Sequence, residues 1–323
     1  MTEDGARAPS MTADGVLPFA VEALDVRGRA VVLGPALDAM LKRHDYPAPV
    51  SRLLGEAVAL TVLLGTSLKF EGRFILQTQS NGPVRMLVVD FETPDRVRAC
   101  ARFDDEALAA AIAAGKVSPA ELLGTGHLAM TIDQGDNRSR YQGVVVLDGE
   151  SLEEAAHRYF AQSEQIPTRV RLAIAEVHER GGEGPVWRAG GLMVQFLPAS
   201  GERARTADLP GGDLPEGYEA PAFDEDDAWV EAQSLVATIE DHELVDPALP
   251  AEGLLYRLFH ERGVKVFAVR PIIERCRCSH EKVEGMLRSF TTEDREEMTV
   301  DGEIVVTCEF CNLHYHFDPA AFE

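Results

Sequence analysis

The sequence predicts an α+β protein: a largely antiparallel sheet domain with helices, then a helical linker region and a small C-terminal zinc-binding module. Three observations carry that expectation. Apolar residues alternate at period two in runs that come as neighbours separated by turn residues, the pattern of hairpins. Between Val16 and about Ala175 the long strand-helix-strand rhythm of a doubly wound sheet is missing, so hairpins outnumber crossovers. Four of the five cysteines fall in the last 48 residues, in a stretch with too few apolar positions for a core of its own.

The elements follow in order. Residues 1–15 are polar and partly acidic and read as a disordered arm. Ala20 to Leu33 reads as two short strands turning at Arg27-Gly28. Ala36 to His44 and Val50 to Leu68 read as helices separated by Tyr46-Pro47-Ala48-Pro49. Phe70 to Gln79 and Val84 to Asp90 form a hairpin around Ser80-Asn81-Gly82-Pro83, and Leu128 to Asp133 pairs with Ser139 to Leu147 around Gln134 to Asn137. Leu152 to Ser163 is an amphipathic helix, while Thr168 to Val177 and Gly191 to Leu197 have strand patterns.

Composition then shifts. The sheet domain is expected over residues 16–200, an acidic, metastable linker with helices over 201–263, and the cysteine module over 264–323. The linker is rich in Pro, Gly and acidic residues. Its helix-length segments, Asp226 to Ile239 and Gly253 to His260, carry few apolar anchors and must take stability from what they pack on. Repulsion within DEDD (224–227) is expected to weaken the linker most at low salt. In the module one helix is expected around Glu281 to Phe290, and one strand pair over Ile304 to Thr307 and Tyr315 to Phe317.

A net charge of −23 argues against nucleic acid, whose phosphates require Lys and Arg, and equally against an anionic membrane surface. No basic segment precedes an apolar one at the N-terminus, and the most apolar stretch, Ala57 to Leu68, is short for a bilayer. A cytoplasmic location is therefore expected, where thiols stay reduced and a cysteine cluster points to metal or redox chemistry rather than a fixed disulfide framework. Cys100 lies in the alternating run VRACARF and reads as a buried apolar residue.

The chemistry sits at Cys276-Arg277-Cys278 and, after a gap of 29 residues, Cys308-Glu309-Phe310-Cys311. Two short pairs brought together across a loop suit tetrahedral Zn²⁺, although C-x-C is tighter than the usual knuckle. Cys276, Cys278, Cys308 and Cys311 are the candidate metal ligands. Arg275, Arg277 and Lys282 lie close enough in sequence to offset a four-thiolate charge, and His280, His314 and His316 read as neighbours of the site rather than ligands. Spacing leaves open a plain structural zinc site, a redox switch, or a dithiol-disulfide oxidoreductase built on Cys308 and Cys311. Tyr141-Gln142-Gly143, Ser163-Glu164-Gln165 and Gly124-Thr125-Gly126 match no nucleophile or phosphate-loop pattern and read as structural. Leu53, Leu54, Val58, Leu60, Val62, Leu63 and Leu64 are the expected core of the long helix.

Four separated blocks, taken together, resemble the heat-shock protein 33 family of redox-regulated holdase chaperones over nearly the whole chain. They are LLGEAVALTVLLGTSLKFEG (53–72) with QSNGPV (79–84), LLGTGHLAMTI (122–132) with RYQGVV (140–145), YFAQSEQIPTRV (159–170), and the CRC and CEFC pairs with the trailing HYHFDP. The resemblance implies a molecular chaperone, not an enzyme, that binds unfolding client proteins without ATP and passes them to ATP-dependent chaperones. By the same resemblance the four cysteines bind Zn in the reduced, inactive protein. Oxidation then pairs Cys276 with Cys278 and Cys308 with Cys311, releases zinc, unfolds the linker and exposes an apolar surface, with a homodimer among the oxidised forms. The acidic linker and the N-terminal arm depart from the common pattern. A constitutive structural zinc-ribbon adaptor and the oxidoreductase are the competing readings.

Overall fold

A computed structural model describes residues 11, 14–135, 140–164, 166–178, 184–197 and 226–322. Along the chain these form β1 (Gly15–Val21), β2 (Val26–Leu33), α1 (Pro35–Lys42), α2 (Ala48–Ser67), β3 (Arg73–Ser80), β4 (Val84–Glu92) and β5 (Arg96–Phe103). Next come α3 (Asp105–Ala113), α4 (Pro119–Leu123), β6 (Thr125–Asp133), β7 (Tyr141–Asp148), α5 (Leu152–Tyr159), β8 (Thr168–His178) and β9 (Pro185–Phe196). The C-terminal part adds α6 (Asp227–Ala237), α7 (Asp241–Val245), α8 (Ala251–Phe259), β10 (Lys265–Val266), β11 (Arg270–Pro271), β12 (Ile273–Glu274), α9 (His280–Leu287), α10 (Thr292–Met298), β13 (Thr299–Val300), β14 (Glu303–Thr307) and β15 (His314–Phe317).

The α+β class holds, with antiparallel pairing throughout except between β12 and β5. One sheet runs β10-β1-β2-β9-β8, with β11 also on β1; a second runs β12-β5-β4-β3-β6-β7; a third, small one is β13-β14-β15. Both predicted hairpins are present, as β3 on β4 and β6 on β7. Part of the second turn, residues 136–139, lies outside the described residues, as do 1–10, 12–13 and the linker segment 198–225.

Helix α2 is apolar on nearly every side because it lies between the two large sheets. Leu53, Leu54, Val58, Leu60, Val62, Leu63 and Leu64 are all buried, in one cluster with Phe74, Leu76 and Val89 of one sheet and Val31, Val170 and Met193 of the other. At 20 residues α2 is longer than the sequence suggested, and long and apolar enough to cross a membrane, but most of its apolar window is buried inside the fold. A helix hydrophobic all round is the expected filling of such a two-sided core.

The first hairpin corrects the sequence expectation. Its turn is Glu22–Leu24, closed by Asp25 at φ 51, and not Arg27-Gly28. Gly28 sits mid-strand, where a Cβ would lie 2.2 Å from the Phe19 ring, so this glycine serves close packing rather than a turn. Leu152 to Ser163 likewise divides: the α-helix ends at Tyr159 and a π-helical turn follows over Phe160–Glu164.

The outer face of the first sheet is covered by three linker helices where the sequence suggested two. Trp229, Val236, Ile239, Leu244, Leu255 and Phe259 pack on Phe19, Val21, Leu192, Val194 and Phe196. Residues 224 and 225 of the DEDD run are outside the described residues, while the Asp226 carboxylate accepts the Ala228 N–H at 2.9 Å and caps α6. Beyond α8 the chain threads back along both large sheets through β10, β11 and β12, a connection that the sequence did not predict.

Candidate metal and redox centre

The module that carries the cysteines has a small core: Leu287, Ile304, Phe317 and Phe322, with Val283, Val306 and Tyr315 at its edge. Its scaffold is α9, α10 and the three-stranded sheet, one strand more than expected because Thr299–Val300 adds to β14. Cys276 and Cys278 lie between β12 and α9, whose N-terminus is capped by Ser279 accepting the Lys282 N–H. Cys308 and Cys311 lie in the turn joining β14 to β15. That turn is closed by the Asn312 N–H donating to the Cys308 carbonyl at 2.8 Å and by the Cys308 N–H donating to Leu313 at 2.9 Å, with Asn312 at φ 55.

These two connections bring all four sulfurs together, each within 4.8 Å of the others. Cys276 and Cys308 are 3.7 Å apart and Cys278 and Cys311 3.2 Å apart. Four thiolates around a tetrahedral zinc at about 2.3 Å would stand about 3.8 Å from one another, so the donor set and its span fit such an ion. His280, His314 and His316 are exposed and turned to other partners: His280 against Phe317, His314 to Thr307 Oγ1 at 2.8 Å, His316 to Glu303 at 3.0 Å. Cys100 is buried in β5, and burial pushes its thiol up to about 12, which suits a packing residue.

Sequence proximity did not point to every cation that the fold brings to the sulfurs. Arg277 pairs with Asp90 at 2.8 Å, and Lys282 Nζ donates to the Arg277 carbonyl at 2.9 Å. A guanidinium that reaches a thiol directly is that of Arg98, 178 residues earlier, whose Nη1 is 3.8 Å from Cys276 Sγ, and the Arg43 charge also acts on Cys276 and Cys311. Burial opposes the Cys276 thiolate, but hydrogen bonds from the Cys278 backbone and thiol, from Arg98 and from Cys308 outweigh it and bring this thiol down to about 7. Burial raises Cys308 and Cys311 instead. The Tyr315 hydroxyl donates to Cys278 Sγ at 3.1 Å, a partner suited to a sulfur carrying negative charge.

The module is also fastened to the two large sheets. The Ile273 N–H donates to the Asp95 carbonyl at 2.8 Å and the Arg275 N–H to Val97 at 3.0 Å, extending the second sheet. Arg43 holds Glu274 through two 2.7 Å bonds, His44 Nε2 meets the Phe310 carbonyl at 3.2 Å, Asn312 donates to the Arg43 carbonyl at 2.8 Å, and Arg102 pairs with Glu309. The CxxC pair is in a strand-to-strand turn, whereas dithiol oxidoreductases place it at a helix N-terminus that activates the thiol.

Comparison with known proteins gives the family. The family model described as Hsp33 protein matches residues 14–318. The chain belongs to the Hsp33 family. The 33 kDa chaperonin of Caulobacter vibrioides is 46% identical over 309 residues, covering 95% of each chain, and that of Nitrosococcus oceani is 36% identical over 311 residues, covering 96% of this chain and 93% of its relative. The crystal structure of the Thermotoga maritima 33 kDa chaperonin matches with a TM-score of 0.72 over 95% of this chain and 96% of the other, at 21% identity, and so supports the fold. An Hsp33 chain is a chaperone, and the cysteine cluster here is compatible with the metal and redox chemistry expected of it. Sequence reasoning found all four cysteines but not Arg98, Arg43 or His44, since nothing in a strand or helix pattern marks a residue that meets a distant module, nor Tyr315, whose hydroxyl only the folded module brings to Cys278.

Proposed function

We propose that this protein is a redox-regulated, ATP-independent holdase, activated when its four clustered cysteines are oxidised. The observation that carries the reading is the gathering of Cys276, Cys278, Cys308 and Cys311 within 4.8 Å in a chain of the Hsp33 family. In the reduced protein these four sulfurs hold Zn²⁺, which when bound cross-links the two cysteine segments and keeps the sulfurs as thiolates. A core of four buried side chains is too small to keep residues 264–323 folded alone. Zinc binding is worth about 10 to 16 kcal/mol in small peptides, against a typical domain stability of about 5 to 15 kcal/mol.

Pairing Cys276 with Cys278 and Cys308 with Cys311 removes every ligand sulfur and leaves nothing to hold the ion. The module then loosens, and the linker helices over 201–263 lose the chain that ties them down. Their departure would uncover the outer face of the first sheet of the 16–200 domain, with Leu17, Phe19, Val21, Leu192, Val194 and Phe196, a patch suited to unfolding client proteins. Clients would pass to ATP-dependent chaperones. The protein turns over no substrate, works in the cytoplasm, and in its oxidised form can associate as a homodimer. The test is aggregation of a thermally unfolding client with reduced and with peroxide-treated protein: suppression only after oxidation supports the reading, and equal suppression in both contradicts it.

A further inference from the structure

One guanidinium joins the cysteine cluster to the second sheet. Arg98, in β5, donates Nε and Nη2 to Asp90 Oδ2 at 3.0 and 2.7 Å, directs Nη1 to Cys276 Sγ at 3.8 Å, and lies over the Phe310 ring with its central carbon 3.9 Å from the centroid. Asp90 is 4% exposed, and the same carboxylate oxygen receives Arg277 at 2.8 Å. Arg277 is the residue between the cysteines of the first pair, and Phe310 lies between those of the second. Asp90 and Arg98 together therefore grip one intervening residue of each pair, so any rearrangement of either pair is felt at β5.

Oxidation changes both halves of that grip. In each pair two thiolates give up two electrons to one hydrogen peroxide. The S–S bond forms, the O–O bond breaks, and two protons from solvent leave the oxygens as two waters. The sulfurs must close to about 2.05 Å, which re-forms the short chain carrying Arg277 or Phe310. The negative sulfur opposite Arg98 is gone as well.

Resting on the redox-switch reading above, we propose that Arg98, anchored by Asp90, is the positioning residue that transmits the oxidation state of the cysteines to the docking of the module on β5. It holds Cys276 and Phe310 while the sulfurs are thiolates and releases them when they are disulfides. Arg102, two pleat repeats away on the same strand, pairs with the exposed Glu309 rather than with a sulfur of the cluster, and is the matched control.

The test uses full-length, zinc-loaded protein with hydrogen exchange at the Ile273 and Arg275 amides, which bond the Asp95 and Val97 carbonyls, and zinc per chain measured alongside, before and after peroxide. Reduced Arg98→Ala should keep its zinc yet exchange at these amides about tenfold faster than the parent, as expected for the loss of a charge-assisted contact. Peroxide should add little further. Arg102→Ala should keep the full response to peroxide. Arg98→Lys, which keeps the charge but loses the flat face over Phe310, should fall between, and it carries the test if the alanine variant does not fold. Parent-like exchange in the reduced Arg98 variants, or a peroxide response of full size added on top of their effect, overturns the coupling role. A parent protein whose exchange and zinc content ignore peroxide overturns the switch itself and the coupling with it.

Discussion

Gly190 of β9 lies directly beneath Leu244 of α7: a Cβ at Gly190 would stand 2.0 Å from the Leu244 carbonyl oxygen. This is where a linker helix approaches the sheet backbone to backbone. Arg188 Nε donates to the Val245 carbonyl at 3.2 Å beside it, and Arg171 reaches Asp241 at 2.8 Å. Backbone cannot yield as a flexible side chain can, so the contact tolerates only glycine.

Gly190→Ala should therefore push α7 off the sheet, at a cost of about 1–3 kcal/mol. The variant is expected to suppress client aggregation partly while still reduced and zinc-loaded. Light scattering of a heated client, with no oxidant present, checks it.

Cys308→Ser leaves three ligand sulfurs and only one pair able to close. With so small a core beneath it, the module should lose tight zinc binding and become cleavable in the region 264–322 under reducing conditions. Inducible behaviour should vanish, leaving a constitutively loosened protein. Limited proteolysis with a metal-binding dye reports both effects.

Glu56 on α2 gives a pH prediction. Burial, and then the neighbouring Glu153 and Asp241 carboxylates, raise its pKa from an ordinary 4.5 to about 8, with Arg52 partly opposing. The folded protein thus holds a proton that the unfolded chain releases, so stability falls as pH rises from about 4.5 to about 8. The side chain is mostly covered, so a shift of this size is worth a few kcal/mol, on the order of 5 at most. Glu56→Gln should flatten that slope and exceed the parent in stability at pH 8, by denaturant titration across the range.

Asp226 heads α6 by accepting the Ala228 N–H. Asp226→Ala should cost about 1 kcal/mol and lower the temperature at which peroxide activates the protein. The same cap opposes the expected repulsion within DEDD. If repulsion still prevails, added salt should raise the activation threshold of the parent, and an unchanged threshold would remove the charge argument.

What the sequence made legible was what is local. The strand pairs Arg73–Ser80 with Val84–Glu92 and Thr125–Asp133 with Tyr141–Asp148 announce themselves by alternation and turn residues, and the cysteine pairs by spacing. Gly28 misled because a glycine reads as a turn until the Phe19 ring that occupies its missing Cβ is seen. The threading of Lys265 to Glu274 along two sheets was hidden, since two-residue strands interrupted by Pro271 carry no period. Arg98 was hidden for a different reason: its role depends on Asp90, Phe310 and Cys276, which only the fold brings to it.

The most direct measurement follows zinc release and client light scattering in one sample, before and after peroxide at elevated temperature. The account predicts about one zinc per reduced chain, its loss on oxidation, and suppression of aggregation appearing as the zinc leaves. Zinc departing with no gain in suppression, or a reduced protein that holds no zinc and protects clients equally well before and after oxidant, would contradict it.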